Sequence, residues 1–154
     1  MLKKDVLFVL VQFLLFVCYL LNWGLLEFET PQLLRHAASA GVALGIVVVI
    51  LGILNLSDNL SPFPSPRKNS ELIQNGIYKY VRHPIYLGIL VGLYSYAIYA
   101  ASLEKFLITL LLNLVFYFKS SYEEELLVQR YSSYSKYQRI TGRFWPKFNS
   151  KRAQ

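Results

Sequence analysis

The chain has 154 residues, of which 55% are hydrophobic and only 16% are charged. This composition is too apolar for an ordinary soluble domain of this length and indicates a membrane protein. The formal net charge of +7 fits attraction to anionic membrane lipids. The basic residues are not arranged along a soluble element of the kind that recognises DNA or RNA, so we expect no nucleic-acid partner.

Apolar runs dominate the chain. A hydrocarbon core about 30 Å thick requires roughly 20 apolar residues in each spanning helix. The last of the four runs is short, so we expect its helix to continue past Phe118, with Lys119 at the membrane interface. The sequence therefore predicts an all-α integral membrane bundle of four transmembrane helices in two hairpins. The four runs are residues 6–26, 37–56, 85–103 and 106–118.

The first run is interpreted as a membrane helix. It is too long for a cleaved signal peptide and lacks a small-residue cleavage site at its end. Cys18, the single cysteine, lies within it. No disulfide framework is possible, and we expect this thiol to pack in the apolar interior.

The basic residues predict the orientation. All of them except Arg35 and Lys105 precede the first run, lie between the second and third runs, or follow the fourth. The positive-inside rule then places both termini and the loop of residues 57–75 in the cytoplasm. We expect this multi-pass protein to carry its functional site on the same side.

The long cytoplasmic loop divides the chain into two parts. Pro62, Pro64 and Pro66 occupy alternate positions in it, which excludes a helix there and favours an extended path. Residues 1–56 form the predicted N-terminal transmembrane hairpin. Residues 57–154 contain the loop, the second hairpin and a cytoplasmic C-terminal helix, all within one membrane domain.

The predicted C-terminal helix is amphipathic. Glu123 falls on its apolar face, where an unpaired carboxylate is costly. Steps of three and four residues define the two faces. One face carries Lys119, Glu123, Leu126, Leu127, Arg130, Tyr131 and Tyr134, and the opposite face carries Glu125, Gln129, Ser132 and Lys136.

Residues 76–88, "GIYKYVRHPIYLG", place basic side chains directly before the third apolar run. Pro84 suits the first position of a helix and places His83 next to the helix cap. The positive end of the helix dipole then meets Arg82 and His83, an arrangement that favours a bound carboxylate or phosphate. Alternatively, Arg82 reaches lipid phosphates while the nearby tyrosines form an interfacial belt.

This motif resembles the isoprenylcysteine carboxyl methyltransferase family and its phospholipid N-methyltransferase relatives. The resemblance runs from about Leu60 to Phe148 and includes "PRKNSELIQN" before the motif and "EEELL" and "YSSYSKY" after it. It implies a small integral membrane enzyme that uses S-adenosylmethionine to methylate a lipid-like or prenylated acceptor. In that family, the cofactor lies between the loop before the R-H-P helix and the carboxylates after the last span.

The resemblance also implies a set of site residues. Lys119 stands where family members that methylate a prenylcysteine commonly carry arginine, and it is the candidate substrate-binding residue. "YSSY" replaces the usual F-G-x-x-Y and leaves the path of the tail over the site open. The candidate cofactor-binding residues are Leu72, Ile73, Tyr78, Arg82, His83, Pro84, Ile85, Tyr86, Glu123 and Glu124, with Glu123 facing the charged end of the cofactor.

Methyl transfer from a sulfonium is an in-line displacement that needs neither a metal nor a covalent intermediate. A carboxylate acceptor is already ionised at neutral pH. An amine acceptor must lose a proton, which Glu123, Glu124 or His83 is able to accept. The sequence therefore assigns no catalytic base, and the oligomeric state is left open.

Two other functions stay open at this point. The hairpins also resemble those of small membrane reductases that use a nicotinamide dinucleotide on lipid-like substrates, where Arg67, Lys68 and Arg82 would bind the phosphates. The other is a non-enzymatic membrane protein whose basic loop binds anionic lipid. A Rossmann-type methyltransferase is excluded, because the chain has no G-x-G-x-x-G motif and too few soluble residues for a doubly wound sheet.

Overall fold

The structure is a computed structural model that describes residues 3–21, 24, 27–56, 60–66 and 71–147. All regular secondary structure in these residues is helical, which confirms the all-α prediction. A short 3-10 helix, Gly76–Lys79, precedes the third α-helix. The five α-helices are α1 (Lys3–Leu20), α2 (Gln32–Leu56), α3 (Pro84–Tyr99), α4 (Leu103–Arg130) and α5 (Tyr134–Ile140).

Helix α2 is the clearest candidate for a membrane span. With 25 residues, it is the one helix in the described part of the chain that is both long and apolar enough to cross a bilayer. Helix α3 is apolar but has only 16 residues. Helix α1 has 18 residues and begins with the charged triplet "KKD". A full span takes roughly 20 apolar residues.

The helices pack in the order α2, α3, α4, α1. The main partner of α1 is therefore α4, whereas the sequence predicted that α1 and α2 form a packed hairpin. Hydrogen bonds at the end of α1 explain the difference. Lys105 Nζ donates to the carbonyl of Tyr19 at 2.7 Å, which satisfies a carbonyl of the last helical turn. The Tyr19 hydroxyl donates to the Leu93 carbonyl at 2.7 Å. Cys18 is half-buried on the same helix.

Helices α2 and α3 approach each other closely through glycines. A Cβ atom added to Gly45 of α2 would lie 2.6 Å from both the Gly88 carbonyl oxygen and the Gly92 nitrogen of α3. Small residues allow such backbone contact between apolar helices. This contact positions the start of α3, where the R-H-P motif lies.

Gly45→Ala tests this contact. We expect it to lower the free energy of unfolding by about 1 to 3 kcal/mol through overpacking. Gly92→Ala is the matched control, because a Cβ atom there has nothing within 4 Å and alanine gains up to about 1 kcal/mol of helix propensity over glycine. Denaturant unfolding in detergent measures both. Equal effects of the two substitutions would contradict the close packing.

Helix α4 continues past Phe118, as predicted, and ends at Arg130. The helix ends because Tyr131 adopts an extended backbone (φ −120°, ψ 111°), and α5 follows as a separate helix. The amphipathic segment is therefore not one helix, and Arg130, which was predicted on the apolar face, is exposed. Within α4 the predicted register is correct, since Lys119 is buried while Glu125 is exposed.

Candidate active site

A cavity of about 350 Å³ lies where the 3-10 helix and the start of α3 meet the second half of α4. Its volume is within the usual range for small-molecule sites, roughly 300 to 1,000 Å³. The proline-containing segment, residues 60–66, and residues 71–73 form one wall. Gln12 of α1 and Tyr131, Tyr134 and Tyr137 near α5 also line the cavity.

The R-H-P segment is held in place by the chain that follows α5. The Arg82 backbone N–H donates to the Gly142 carbonyl at 2.9 Å, and the His83 N–H donates to the Arg143 carbonyl at 3.1 Å. A side chain at Gly142 would overlap the Trp145 carbonyl oxygen, so this turn requires glycine. His83 is the N-cap of α3 and Pro84 lies at its N-terminus, as the sequence predicted.

Glu124 is the centre of a buried ionic network. Its carboxylate accepts two hydrogen bonds from Arg82, at 2.8 and 3.2 Å, and pairs with His83 Nε2 at 3.0 Å. It also accepts from Gln138 at 3.0 Å and from Arg143 at 3.1 Å. Burial alone would raise the pKa of Glu124, but the hydrogen bonds and charges of His83 and Arg82 hold it well below the ordinary value, so the group is a carboxylate.

The Arg82 guanidinium is bound almost completely within the protein. Besides Glu124, it donates to the carbonyl of Gln138 at 3.1 Å and to that of Thr141. Four of its five N–H donors therefore have partners in the chain. The sequence predicted a bound anion beside the start of α3. For Arg82, that anion is the carboxylate of Glu124 in the same chain.

Glu123, the adjacent carboxylate, has a different environment. It lines the cavity, and 27% of its side chain is exposed. The Tyr86 hydroxyl donates to it at 3.1 Å, and His83 Nδ1 lies 3.8 Å away. Burial raises the pKa of Glu123, while the nearby His83 and the Tyr86 hydrogen bond oppose that rise. Glu123 is thus a carboxylate that faces the cavity with few fixed donors.

Lys119 is buried in the cavity wall, with only 1% of its surface exposed. Its ammonium donates to Gln12 Oε1 at 2.8 Å and to the Pro62 carbonyl at 2.9 Å. It also lies 5.3 Å from the centre of the Tyr86 ring, a cation–π contact. Lys119 therefore links α4 to α1 and to the proline-containing segment.

The structure brings most of the predicted site residues together. All of them line the cavity except Pro84 and Glu124. Pro84 begins α3, and Glu124 lies behind the cavity wall in the network of Arg82 and His83. The roles assigned to these residues toward a cofactor or substrate stay predictions.

Sequence reasoning missed Gln12, Gln138, Arg143 and Phe144. Gln12 was detectable, because it is a polar residue in the middle of the first apolar run. Arg143 was grouped with the basic residues that attract lipid, but it bonds Ser121 at 2.8 Å as well as Glu124. Gln138 and Phe144 carried no signal, since the contact of Gln138 depends on the turn between α4 and α5 and that of Phe144 on the turn after α5.

Comparison with known proteins assigns the family. The family model for phospholipid methyltransferase matches residues 34–134, more than half of the chain. The matched part includes the R-H-P motif, the two carboxylates of α4 and most of the cavity wall. No curated protein matches the chain. The chain therefore belongs to the phospholipid methyltransferase family.

Proposed function

We propose that this protein is an integral membrane methyltransferase that transfers a methyl group from S-adenosylmethionine to a lipid-like or prenylated acceptor. The observation that carries the proposal is the carboxylate of Glu123 in a cavity with mostly apolar and aromatic walls. A carboxylate in such a site attracts a cation such as a sulfonium more strongly than it would in water.

The cavity residues fit this cofactor. Glu123 would face the sulfonium, and Tyr78 and Tyr86 offer ring contacts for the adenine. Leu72 and Ile73 lie outside regular secondary structure, so helix hydrogen bonding does not occupy their backbone groups. Bound there, S-adenosylmethionine would supply an electrophilic methyl group, and the chain's own residues would orient it and exclude water.

Lys119 is the proposed contact for an anionic part of the acceptor. Its ammonium points toward neutral partners, Gln12 and the Pro62 carbonyl, so no carboxylate lies in direct contact with it among the described ion pairs. A point charge of this kind attracts carboxylates and phosphates alike.

For the membrane arrangement we infer four spans: α1, α2, α3 and residues 103–118 of α4. Large apolar side chains are exposed along their outer faces, for example Leu14, Leu54 and Leu114. The cavity lies among the middle of α1, the end of α2, the start of α3 and the second half of α4, and Lys4 at the start of α1 lies over the ring of Tyr122 in α4. In an up-and-down bundle these ends share one side. Because the basic residues concentrate there, that side is cytoplasmic, and the acceptor enters from the bilayer.

Cysteine labelling tests the orientation. In a Cys18→Ala background, we expect a cysteine placed at Ser65 to react with a membrane-impermeant reagent only after the cytoplasmic side is opened. A cysteine placed at Arg35 should react from outside, because Arg35 begins α2 at the opposite end. Labelling of the Ser65 position from outside intact cells would contradict both the topology and the cytoplasmic site.

Calorimetric titration tests the function. We expect the full chain in detergent to bind S-adenosylmethionine and its demethylated product, and not to bind a nicotinamide dinucleotide. Arg82, one of the basic residues that a reductase would use for phosphates, already donates to Glu124, Gln138 and Thr141. Arg67 and Lys68, the other two, lie outside the described residues. Binding of the dinucleotide alone would favour a reductase, and binding of none would overturn an enzymatic role with either cofactor.

Glu123→Gln tests the charge pairing. We expect this substitution to weaken S-adenosylmethionine binding by about ten- to a hundredfold, the effect of losing one charged contact. S-adenosylhomocysteine has no sulfonium charge, so its affinity should change little. Glu125→Gln is the matched control, because Glu125 is exposed on the other side of α4. Equal weakening of both ligands would contradict the proposed role of Glu123.

A further inference from the structure

The imidazole ring of His83 is fixed on three sides. Nε2 lies 3.0 Å from Glu124 Oε1, and the Tyr86 ring stacks on it at 5.5 Å with an interplanar angle of 5°. Phe144 covers it at an angle, 6.0 Å between ring centres. Only 6% of the side chain is exposed, yet the residue lines the cavity. The ring therefore has one orientation toward the cavity.

The partner of Nε2 determines the tautomer of His83. Glu124 accepts from Arg82, Gln138 and Arg143, and these donors keep it ionised, so it only accepts hydrogen bonds. Nε2 must consequently carry the hydrogen of the His83–Glu124 bond. In neutral His83 the other nitrogen, Nδ1, then has no hydrogen and presents a lone pair.

Nδ1 lies on the side of Glu123, 3.8 Å from its Oε2. A carboxylate at this distance stabilises positive charge on the ring, so a proton that reaches Nδ1 is stabilised there. Among the described residues, the charged and titratable groups of this cluster are Glu123 and Glu124 on α4, Tyr86 on α3, Arg82 beside it, Arg143 bonded to Glu124, and Lys119, 5.3 Å from the centre of the Tyr86 ring. Nδ1 is the basic atom of this cluster that lies next to Glu123, which itself lines the cavity.

We propose that His83 is the general base of the methyl transfer and accepts through Nδ1 a proton from an acceptor that arrives as an ammonium ion. This inference rests on the proposed function and concerns the case in which the acceptor is an amine. Glu124 is then a positioning residue, which holds the ring and its tautomer. Glu124 does not line the cavity, whereas Glu123 does and would pair with the positive charge of a bound cation.

The proton and electron balance is complete. The ammonium nitrogen transfers one proton to Nδ1, and its freed lone pair forms the new nitrogen–carbon bond with the methyl group. With S-adenosylmethionine as the methyl donor, the sulfur–carbon bond would break and its electron pair would stay on the sulfur, which would leave a neutral thioether. The product is a methylated ammonium, and the His83 imidazolium returns its proton to water. Glu123, 3.8 Å from Nδ1, stabilises the imidazolium while it exists.

Nitrogen NMR of the full chain, labelled with ¹⁵N-histidine in detergent, tests the tautomer independently of activity. His36 is the other histidine, and a His36→Gln variant leaves the His83 signals alone in the spectrum. We expect neutral His83 to carry its hydrogen on Nε2, and Glu124→Gln to change this distribution. A hydrogen on Nδ1 in the neutral wild-type ring would overturn the proposal.

The pH dependence of methyl transfer tests the base itself. With phosphatidylethanolamine in mixed micelles as the probe, we expect the wild-type rate to rise with pH, because the reaction requires the transfer of a proton from the acceptor to a base. His83→Gln, which keeps an N–H for Glu124, should lower the rate by about a hundredfold or more and remove this rise. His36→Gln, on exposed α2 surface, should change neither.

The outcomes separate the two proposals. If His83→Gln binds S-adenosylmethionine and shows the same pH profile as the wild type and the His36→Gln control, His83 is not the base. The methyltransferase proposal then still stands. If a prenylated cysteine carboxylate is methylated and the amine is not, the acceptor has no proton for His83 to accept, and the proposal of a base fails while the methyltransferase proposal stands. If the wild type binds no S-adenosylmethionine, the proposed function itself fails.

Discussion

Glu124→Ala is expected to lower the free energy of unfolding by about 3 to 5 kcal/mol, the cost of removing one partner from a buried ion pair. The Glu124 side chain is 4% exposed and that of Arg82 is 8% exposed. The substitution would leave the Arg82 guanidinium buried without its counter-charge, and Gln138 and Arg143 would each lose an acceptor. Denaturant unfolding in detergent measures the loss.

The same pairing predicts how stability depends on pH. The pKa of Glu124 is depressed in the folded chain from an ordinary value of 4.5. Its contribution is therefore complete above that value and is lost as the pH falls toward the lower folded-state pKa. We expect the wild type to lose this part of its stability below about pH 4.5, and Glu124→Ala to lack that loss. Glu125→Ala, an exposed neighbour, should stay within about 0.5 kcal/mol of the wild type at neutral pH. Similar losses for the two variants would contradict the network.

Arg82→Lys is expected to lower the free energy of unfolding by about 2 to 4 kcal/mol although it keeps the positive charge. A lysine ammonium cannot reproduce the two-pronged contact with Glu124. The carbonyls of Gln138 and Thr141, which accept from the guanidinium, would lose their donor, and each unsatisfied buried group costs about 1 to 3 kcal/mol.

Arg139→Lys is the control for this substitution, since Arg139 is exposed on α5. The same chemical change there should cost less than about 0.5 kcal/mol. The double variant Arg82→Lys with Glu124→Ala should lose less than the sum of the single losses, because both act on one ion pair. Additive losses would show that the two residues act independently.

The site could be predicted from the sequence wherever local rules decide the geometry. Pro84 determines where α3 begins, and this places His83 at the cap. Helical spacing placed Glu123 on the inward face of α4, and the structure has it on the cavity wall. Both predictions depend on a few residues of backbone, where steric rules and helix period are strong.

Local rules did not distinguish the two adjacent glutamates. Glu123 and Glu124 are one helical step apart, about 100° around α4, and both appeared as cofactor contacts. Which of them bonds within the protein depends on Gln138 of α5 and on Arg143, which follows α5. Contacts over such separations leave no periodic signal in the sequence.

The packing of α1 against α4 could not be predicted from the sequence pattern either. A short connection favours a packed pair, so α1 was assigned to α2. The buried ammonium of Lys105, which bonds the end of α1, ties it to α4 instead. Lys105 had been counted only as a basic residue on the outer side, because its burial depends on where α1 ends.

The turn at Gly142 affects the order in which the protein matures. The backbone N–H groups of Arg82 and His83 find their acceptors at Gly142 and Arg143, some sixty positions later in the order of synthesis. While those later residues are still inside the ribosome, the helices are able to enter the membrane, but the R-H-P segment has nothing to close against. The cavity wall that contains His83 therefore forms only after the segment at Gly142 has folded against it, so the residues after α5 are needed for the site although they lie outside it.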